Sequence, residues 1–190
     1  MKTILITGGA RSGKSHFTQE FALRSGKAVL FVATAVAGDE EMRQRIEEHR
    51  RTRPTAWSTL EVTTHVGNQI LQKIGGAQVV IVDCITLLVN NIFSQYADQT
   101  GKQVNASLVE NEVTSEINEL VDCVNRLDAS SFIIVTNEVG MDLVPANKTG
   151  RLYRDLLGKA NQFLAQRADE VYLMVAGLPL PIKPVKHPGA

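Results

Sequence analysis

The chain has 190 residues, of which 44% are hydrophobic and 21% are charged, and these values indicate one globular domain rather than a disordered chain. The 20 basic and 20 acidic side chains balance, which argues against a general nucleic-acid binder, because such proteins usually carry a basic excess. The 2 cysteines, Cys84 and Cys123, lie far apart, which excludes a zinc ribbon or a disulfide scaffold and is typical of a reducing compartment.

The N-terminal segment gives no sign of export or membrane insertion. Its apolar run at residues 4–6 is broken at once by Thr7-Gly8-Gly9 and is far shorter than a signal-sequence core or a membrane-spanning helix. No repeat and no linker divides the chain. We therefore expect a single cytoplasmic domain over residues 1–190, with no membrane segment and no nucleic-acid partner.

Short apolar runs alternate along the chain with stretches of helical periodicity. The runs, rich in β-branched residues, predict buried strands at residues 3–7, 28–34, 79–83, 132–136 and 171–175. Apolar residues at helical spacing predict helices at residues 14–24, 39–53, 66–74, 105–127 and 152–167. The remaining polar or proline-rich stretches predict a surface loop or frayed helix end at 91–105, a loop at 142–149 and a tail from residue 176 that runs over the surface. This alternation predicts an α/β fold, a mainly parallel sheet with helices on both faces in a three-layer sandwich.

The first predicted strand runs into a glycine-rich segment that fits the phosphate-binding pattern G-x-x-x-x-G-K-[ST]. The segment consists of Gly8, Gly9, Ala10, Arg11, Ser12, Gly13, Lys14 and Ser15. Glycines let the backbone turn its N–H groups toward phosphate oxygens, and the helix that follows adds its positive N-terminus. In such a loop Lys14 reaches the β- and γ-phosphates, and the hydroxyl of Ser15 binds Mg²⁺. A strand before the segment and a helix after it predict a P-loop NTPase-type (RecA-like) nucleotide-binding fold.

Polar residues follow two other predicted strands. Asp83 ends the strand at 79–83, and Thr136-Asn137-Glu138 follows the strand at 132–136. The carboxyl ends of parallel strands meet at one edge of the sheet, so Asp83 and Lys14 are expected to face the same crevice. An acid at this point of a P-loop protein holds Mg²⁺, and we expect Asp83 to do so. The segment at 136–138 is expected to give polar support.

A P-loop alone leaves the reaction open between a small-molecule kinase, a regulatory NTPase and a motor module. The helix predicted at 39–53 is more informative, because Met42, Ile46 and His49 share one of its faces. An isolated histidine there would be a packed residue at the edge of the core. However, three arginines follow within four residues, which is typical of polyphosphate recognition. A neutral imidazole beside bound phosphates is a competent nucleophile at phosphorus.

Other residues with chemical potential have no motif around them. The remaining histidines are His16, His65 and His187. Trp57 is interpreted as a packing or subunit-contact residue rather than a stacking platform for a base. Cys84 is interpreted as a small buried residue and not as a nucleophile.

Seven segments spread over nearly the whole chain follow one family pattern. They are ITGGARSGKS (6–15), VATA (32–35), DEEMRQRIEEHRRTRPTAWSTLE (39–61), DCITLLVNN (83–91), TNEVGMDLVP (136–145), GRLYRDLLGKANQFLA (150–165) and ADEVYLMVAGLPL (168–180). With these segments the chain resembles the bifunctional adenosylcobinamide kinase / adenosylcobinamide-phosphate guanylyltransferases of cobalamin biosynthesis. The TNEVG segment and the EM…RI…HR…RP…W segment are its most specific part, and the ending PIKPVKHPGA departs from the shorter ending of the family.

The resemblance implies two reactions: phosphorylation of the aminopropanol hydroxyl of adenosylcobinamide by ATP or GTP, and transfer of GMP from GTP to that phosphate. It implies a guanylyl-histidine intermediate on His49 and a homotrimer that binds the corrinoid and Mg²⁺, with Lys14 as a second catalytic residue. Nucleotide contacts carry over to the phosphate loop and to Thr34, Ala35, Val36, Arg50, Arg51, Thr52, Arg53, Glu61 and Asp83. The corresponding family position is often polar, so Val36 is expected to contact the nucleotide through its backbone.

Two rival interpretations stay open. Another small-molecule P-loop kinase would phosphorylate its substrate without ever holding GMP covalently, and it would tolerate the loss of His49. A nucleotide-dependent binding module would turn over slowly and would not respond to a corrinoid.

Overall fold

The computed structural model describes residues 1–96, 104–141 and 143–183. Thirteen helices and strands follow one another along these residues. They are β1 (Lys2–Gly8), α1 (Lys14–Arg24), β2 (Val29–Ala33), α2 (Glu40–Thr52), β3 (Ser58–Glu61), α3 (Val66–Lys73), β4 (Val79–Asp83), α4 (Ile85–Tyr96), α5 (Ala106–Arg126), β5 (Ser131–Val135), α6 (Lys148–Arg167), β6 (Glu170–Val175) and β7 (Leu178–Lys183).

The strands form one sheet of seven in the order β3-β2-β4-β5-β1-β6-β7. All neighbouring pairs are parallel except β6 and β7, which are antiparallel. This arrangement confirms the predicted fold class. It brings the carboxyl ends of β1, β2, β4 and β5 to one edge, where ligands bind in open α/β sheets. Strand β5 lies between β1 and β4, so the loop after β5 lies between the phosphate loop and Asp83.

Both faces of the sheet are covered, because successive side chains of a strand point to opposite faces. One cluster holds Leu5, Val32 and Ile134 together with the buried sides of α3, α4, α5 and α6. The other holds Ile4, Phe31 and their neighbours against α1. The two clusters explain why the strands are continuous apolar runs. Within the described residues, no helix is long and apolar enough to cross a membrane.

The sequence does not predict two elements of the structure, strand β3 and helix α4. Strand β3 has only four residues, is polar, and pairs in parallel with β2 at the sheet edge. Helix α4 occupies residues that include the first part of the loop predicted at 91–105. It is buried over most of its surface, including Thr86 and Asn91, so it lacks the polar face that marks an amphipathic helix. Residues 97–103 of the predicted loop lie outside the described residues.

The last part of the chain also differs from its prediction. Helix α6 begins at Lys148 rather than at 152, because the side chain of Asn147 accepts a hydrogen bond from the N–H of Gly150 at 2.6 Å and caps the helix. Residues 178–183 form strand β7 instead of irregular tail. Residues 184–190 of the predicted tail, and residue 142 of the predicted loop, lie outside the described residues.

Candidate active site

The phosphate loop, residues 8–15, joins β1 to α1 and leaves no room for side chains at two of its glycines. Gly13 has φ 95° and Gly8 has φ 148°, which are conformations that L-residues other than glycine rarely adopt. A Cβ on Gly8 would lie 2.5 Å from the carbonyl oxygen of Met174, and one on Gly13 would lie 3.0 Å from Cα of Gly177. The N–H of Gly177 donates to the carbonyl of Ser12 at 3.0 Å. The turn between β6 and β7 therefore supports the loop directly.

Lys14 is folded back over this loop. Its Nζ donates to the carbonyl oxygens of Gly8 at 3.0 Å and Gly9 at 2.6 Å, and it lies 3.5 Å from Oγ of Ser12. The residue is only 8% exposed. Burial lowers the pKa of Lys14, while the nearby charges of Cys84 and Asp83 oppose that shift. The loop thus holds one ammonium group at the position where a phosphate chain would meet the backbone amides.

Ser15 and Asp83 provide two hard oxygen donors side by side. The Ser15 hydroxyl donates to Oδ2 of Asp83 at 3.1 Å. Burial raises the pKa of Asp83, whereas the charge of His49, the hydrogen bond from Ser15 and the charges of Lys14 and Arg53 lower it. Mg²⁺ prefers few protein oxygens, usually one or two carboxylates, completed by water and substrate phosphates. The hydroxyl and the carboxylate fit this preference, so the residues present suit the ion.

Thr34 ties the end of β2 to the end of β4. Its Oγ1 donates to the carbonyl of Cys84 at 2.7 Å and accepts from the N–H of Cys84 at 2.8 Å, across a cis Asp83–Cys84 peptide bond. Thr34 is fully buried, so its side chain holds the framework, whereas Ala35 and Val36 line the adjacent cavity. Asn91 on α4 adds a second tie, since its Nδ2 donates to the carbonyls of Thr34 at 2.8 Å and Thr63 at 3.2 Å.

Helix α2 stands over the cavity and has no buried residue. Its start is capped by Asp39, whose Oδ1 accepts from the N–H of Met42 at 2.7 Å. Met42, Ile46 and His49, the shared face predicted from the sequence, all line the cavity. The apolar side of α2 therefore faces the space where a ligand would bind instead of packing into the core.

The cavity has a volume of about 730 Å³, which lies in the usual range for small-molecule sites. It brings together most of the residues that the sequence singled out. Its lining includes Lys14, Ser15, His49, Arg53, Glu61 and Asp83. His16 and Asn137 also line it. Phe31, Met42 and Ile46 are lining residues that we did not predict as site residues, although helical spacing had placed the last two beside His49.

Not every predicted contact residue reaches this space. Arg51 and Thr52 are exposed on α2 and are absent from the lining, whereas Arg50 and Arg53 belong to it. Gly8 and Gly9 belong to the loop but do not line the cavity. Consecutive residues of a helix point in different directions. Arg51 therefore points away from the cavity that Arg50 and Arg53 line.

Arg50 and Arg53 fasten the end of α2 to the sheet. Nε and Nη2 of Arg50 donate to both carboxylate oxygens of Glu61 at 2.6–2.9 Å. The guanidinium of Arg53 lies 3.9 Å from the ring centre of Phe31, and Trp57 stacks on the same ring at 6.4 Å. Trp57 is therefore a packing residue. The exposed Arg50–Glu61 pair contributes little to stability, but its two-pronged geometry fixes where the helix ends.

The relatives of this chain form one coherent group. Residues 4–182 match the cobinamide kinase / cobinamide phosphate guanyltransferase (CobU) family. The chain is 39% identical to the bifunctional adenosylcobalamin biosynthesis protein CobU of Escherichia coli K12 over 181 residues, which cover 95% of this chain and 99% of that protein. It is 37% identical to the bifunctional adenosylcobalamin biosynthesis protein CobP of Pseudomonas aeruginosa over 179 residues, which cover 94% and 96%.

Among solved structures, the RadB recombinase has a similar fold. The TM-score is 0.50 at 16% sequence identity, over 90% of this chain and 73% of that one. This likeness concerns the fold, which is of the P-loop RecA-like type, and it agrees with the strand order and phosphate loop described above. From the extent of the sequence match, the chain belongs to the cobinamide kinase / cobinamide phosphate guanyltransferase family.

Proposed function

We propose that this chain phosphorylates the aminopropanol hydroxyl of adenosylcobinamide with ATP or GTP and then transfers GMP from GTP to the new phosphate. The products of the second step are adenosylcobinamide-GDP and pyrophosphate. Family membership supports the pair of reactions. The observation that carries the proposal is that His49 lines the same cavity as Lys14, Ser15 and Asp83, so one bound nucleotide can meet both sets of groups.

The first step needs positioning and charge neutralisation more than covalent chemistry. The acceptor oxygen attacks the γ-phosphorus, and the bond from that phosphorus to the β-phosphate oxygen breaks. The phosphate loop amides and Nζ of Lys14 stabilise the negative charge on the leaving diphosphate. When bound by Ser15 and Asp83, Mg²⁺ supplies further neutralisation of phosphate charge.

The second step needs a nucleophile that attacks the α-phosphorus of GTP. A ring nitrogen of neutral His49 forms a bond to this phosphorus, and the bond to the β-phosphate oxygen breaks, which releases pyrophosphate. An oxygen of adenosylcobinamide phosphate then attacks the same phosphorus, and the P–N bond breaks to regenerate His49. The charge of His49 lowers the pKa of Asp83, so the Asp83 carboxylate is near enough to stabilise the positive charge that the imidazole develops.

Intact-protein mass spectrometry after incubation with Mg²⁺ and GTP tests the nucleophile. We expect an acid-labile adduct of one GMP on the wild type and none on His49→Ala. His16→Ala is the matched control inside the cavity, because His16 lines it beside Ser15, and His65→Ala is the control outside it. An adduct lost in His16→Ala but kept in His49→Ala would move the nucleophile to His16. No adduct on any protein that binds GTP would leave a plain kinase or a binding module.

The resemblance also implies assembly as a homotrimer, and a cytoplasmic location is expected from the sequence. Both remain part of this proposal. Size-exclusion chromatography with light scattering measures the first of these directly, and a monomeric mass would overturn it.

A further inference from the structure

The extended backbone of β5 continues past its last residue, Val135, toward the phosphate loop. The N–H groups of Thr136 and Glu138 donate to carbonyl oxygens of β1, both at 3.0 Å, which prolongs the parallel ladder between the two strands. Successive side chains of an extended strand point to opposite faces of the sheet. The side chain of Asn137 is therefore on the same face as that of Val135, and both residues line the cavity.

The neighbours of Asn137 in the sheet agree with this placement. Thr136 faces the other side, where it is fully buried and its Oγ1 donates to Oδ1 of Asn161 on α6 at 2.7 Å. Asp83 is the partner of Val135 in the ladder of β4 and β5, so its side chain shares the face of Asn137. Because β5 lies between β1 and β4, Asn137 enters the cavity between the phosphate loop and Asp83.

Two buried side chains fix the backbone of Asn137. Its N–H donates to Oγ1 of Thr86 at 2.7 Å, and its carbonyl accepts from Nδ2 of Asn161 at 3.0 Å. Thr86 and Asn161 are only 7% and 9% exposed. The carbonyl of Thr86 in turn accepts from the hydroxyl of Tyr153 at 2.9 Å. The position of Asn137 is thus set by its neighbours and does not depend on its own side chain.

The carboxamide of Asn137 is the part of the residue that the fold leaves unused. Within the part of the chain that the structure describes, this carboxamide has no hydrogen-bond partner, although both backbone groups of the residue have one. The residue is half-buried, so the amide is open to a ligand in the cavity. Its Nδ2 offers two N–H donors, which suit phosphate oxygens.

We infer that Asn137 is a further catalytic residue of the kinase step, in which its Nδ2 donates a hydrogen bond to an oxygen of the transferred γ-phosphoryl group. This inference rests on the proposed function, which places a nucleoside triphosphate on the phosphate loop. In P-loop proteins the metal ion bridges oxygens of the β- and γ-phosphates. A donor beside the Ser15–Asp83 pair therefore faces the terminal phosphate. There it orients the γ-phosphoryl group for attack by the acceptor alcohol.

The binding of two matched analogues tests this contact apart from catalysis. Guanosine 5′-[α,β-methylene]triphosphate and the corresponding diphosphate differ by the γ-phosphate alone, and their methylene bridge prevents GMP transfer to His49. In calorimetry with Mg²⁺, we expect Asn137→Ala to bind the triphosphate about 10- to 100-fold more weakly than the wild type. Binding of the diphosphate is expected to stay unchanged. The kcat/KM of the triphosphate donor in cobinamide phosphorylation is expected to fall by at least the same factor.

A second variant separates hydrogen bonding from the filling of space. Asn137→Asp keeps the shape of the side chain and replaces the donor with an oxygen that only accepts. It is expected to bind the triphosphate no better than Asn137→Ala does, whereas a space-filling role would restore binding. Both variants are expected to unfold in urea as the wild type does, because Thr86 and Asn161 still hold the backbone. Asn118→Ala is the matched control, since Asn118 is exposed on α5.

The outcomes differ for the inference and for the function on which it rests. If Asn137→Ala weakens the binding of both analogues equally, or of neither, the inference is wrong, and a wild type that phosphorylates cobinamide leaves the proposed function standing. Wild-type binding of the triphosphate by Asn137→Asp would also overturn the inference. If the wild type does not phosphorylate cobinamide at all, the proposed kinase function fails, and a role for Asn137 in that step fails with it.

Discussion

Asn91 is the buried residue whose replacement tests how the cavity wall is held. It is 8% exposed, and its single amide group joins the carbonyl of Thr34, after β2, to that of Thr63, after β3. Both loops contribute to the cavity lining. The substitution Asn91→Leu keeps the approximate volume and removes both hydrogen bonds.

The loss of stability depends on whether water can reach each carbonyl once the Asn91 amide is removed. Thr34 is fully buried, so its carbonyl loses the hydrogen bond without access to water, at about 1–3 kcal/mol. Thr63 is exposed, and water can replace the amide there, so that loss is about 1 kcal/mol or less. The expected decrease in the free energy of unfolding is about 1–4 kcal/mol. For a chain of this length it lowers Tm by at least about 2 °C.

Urea and thermal unfolding measure the loss, and titration with GTP measures its consequence in the cavity. We expect Asn91→Leu to be less stable and to bind GTP more weakly, because the backbone at 34–36 and 62–63 is no longer tied together. Asn90→Leu is the matched control, since Asn90 is the adjacent, exposed residue of the same helix. If Asn91→Leu is as stable as Asn90→Leu, the Asn91 amide does not hold the two loops together.

Two further predictions concern packing and pH. Gly67→Ala is expected to destabilise the chain by about 1–3 kcal/mol, because the new Cβ would lie 2.5 Å from the carbonyl oxygen of Glu119 on α5. Gly158→Ala, whose Cβ would meet nothing within 4 Å, is expected to stabilise α6 by up to about 1 kcal/mol; equal effects of the two in urea unfolding would contradict the packing account. Burial raises the pKa of Glu116, against the opposing effect of its hydrogen bonds from Val66 and residue 65. The folded chain therefore binds this proton more tightly than the unfolded chain does, and the contribution to stability is lost as pH rises through the raised pKa. The unfolding free energy of the wild type relative to Glu116→Gln is expected to decline as pH rises above the ordinary glutamate pKa of about 4. A difference that rises over this range would contradict the sign.

The parts of the fold that sequence analysis predicted are those with a local signal. The parallel strands β1, β2, β4, β5 and β6 are continuous apolar runs, and a strand buried on both faces has no other pattern. Helix α4 was missed because burial on nearly all sides removes the contrast between its faces. Strand β7 was missed because two prolines interrupt it; an edge strand tolerates them, since their missing N–H groups can face away from the neighbouring strand.

In the site, too, the features formed by consecutive residues could be predicted, whereas those that depend on tertiary structure could not. The phosphate loop is predicted from eight consecutive residues, because backbone geometry and chemistry reside in one turn. That His49 and Lys14 line the same cavity follows from the orientation of α2, which no local pattern encodes. Thr34 illustrates the limit, since its nucleotide contact stays a prediction, whereas the hydrogen bonds of its side chain to the backbone of Cys84 follow from tertiary structure alone. The positions of Phe31 and Asn91 follow only from the strand order and from a helix that the sequence did not predict.

We propose that one cavity carries out both reactions through a guanylyl group on His49. The most direct test is a single-turnover chase on the GMP-modified wild type, freed of GTP and mixed with adenosylcobinamide phosphate. We expect the protein to return to its unmodified mass as an equal amount of adenosylcobinamide-GDP forms. An adduct that persists under these conditions, while GTP and adenosylcobinamide phosphate still give product in steady state, would show that the modified histidine is not on the reaction path.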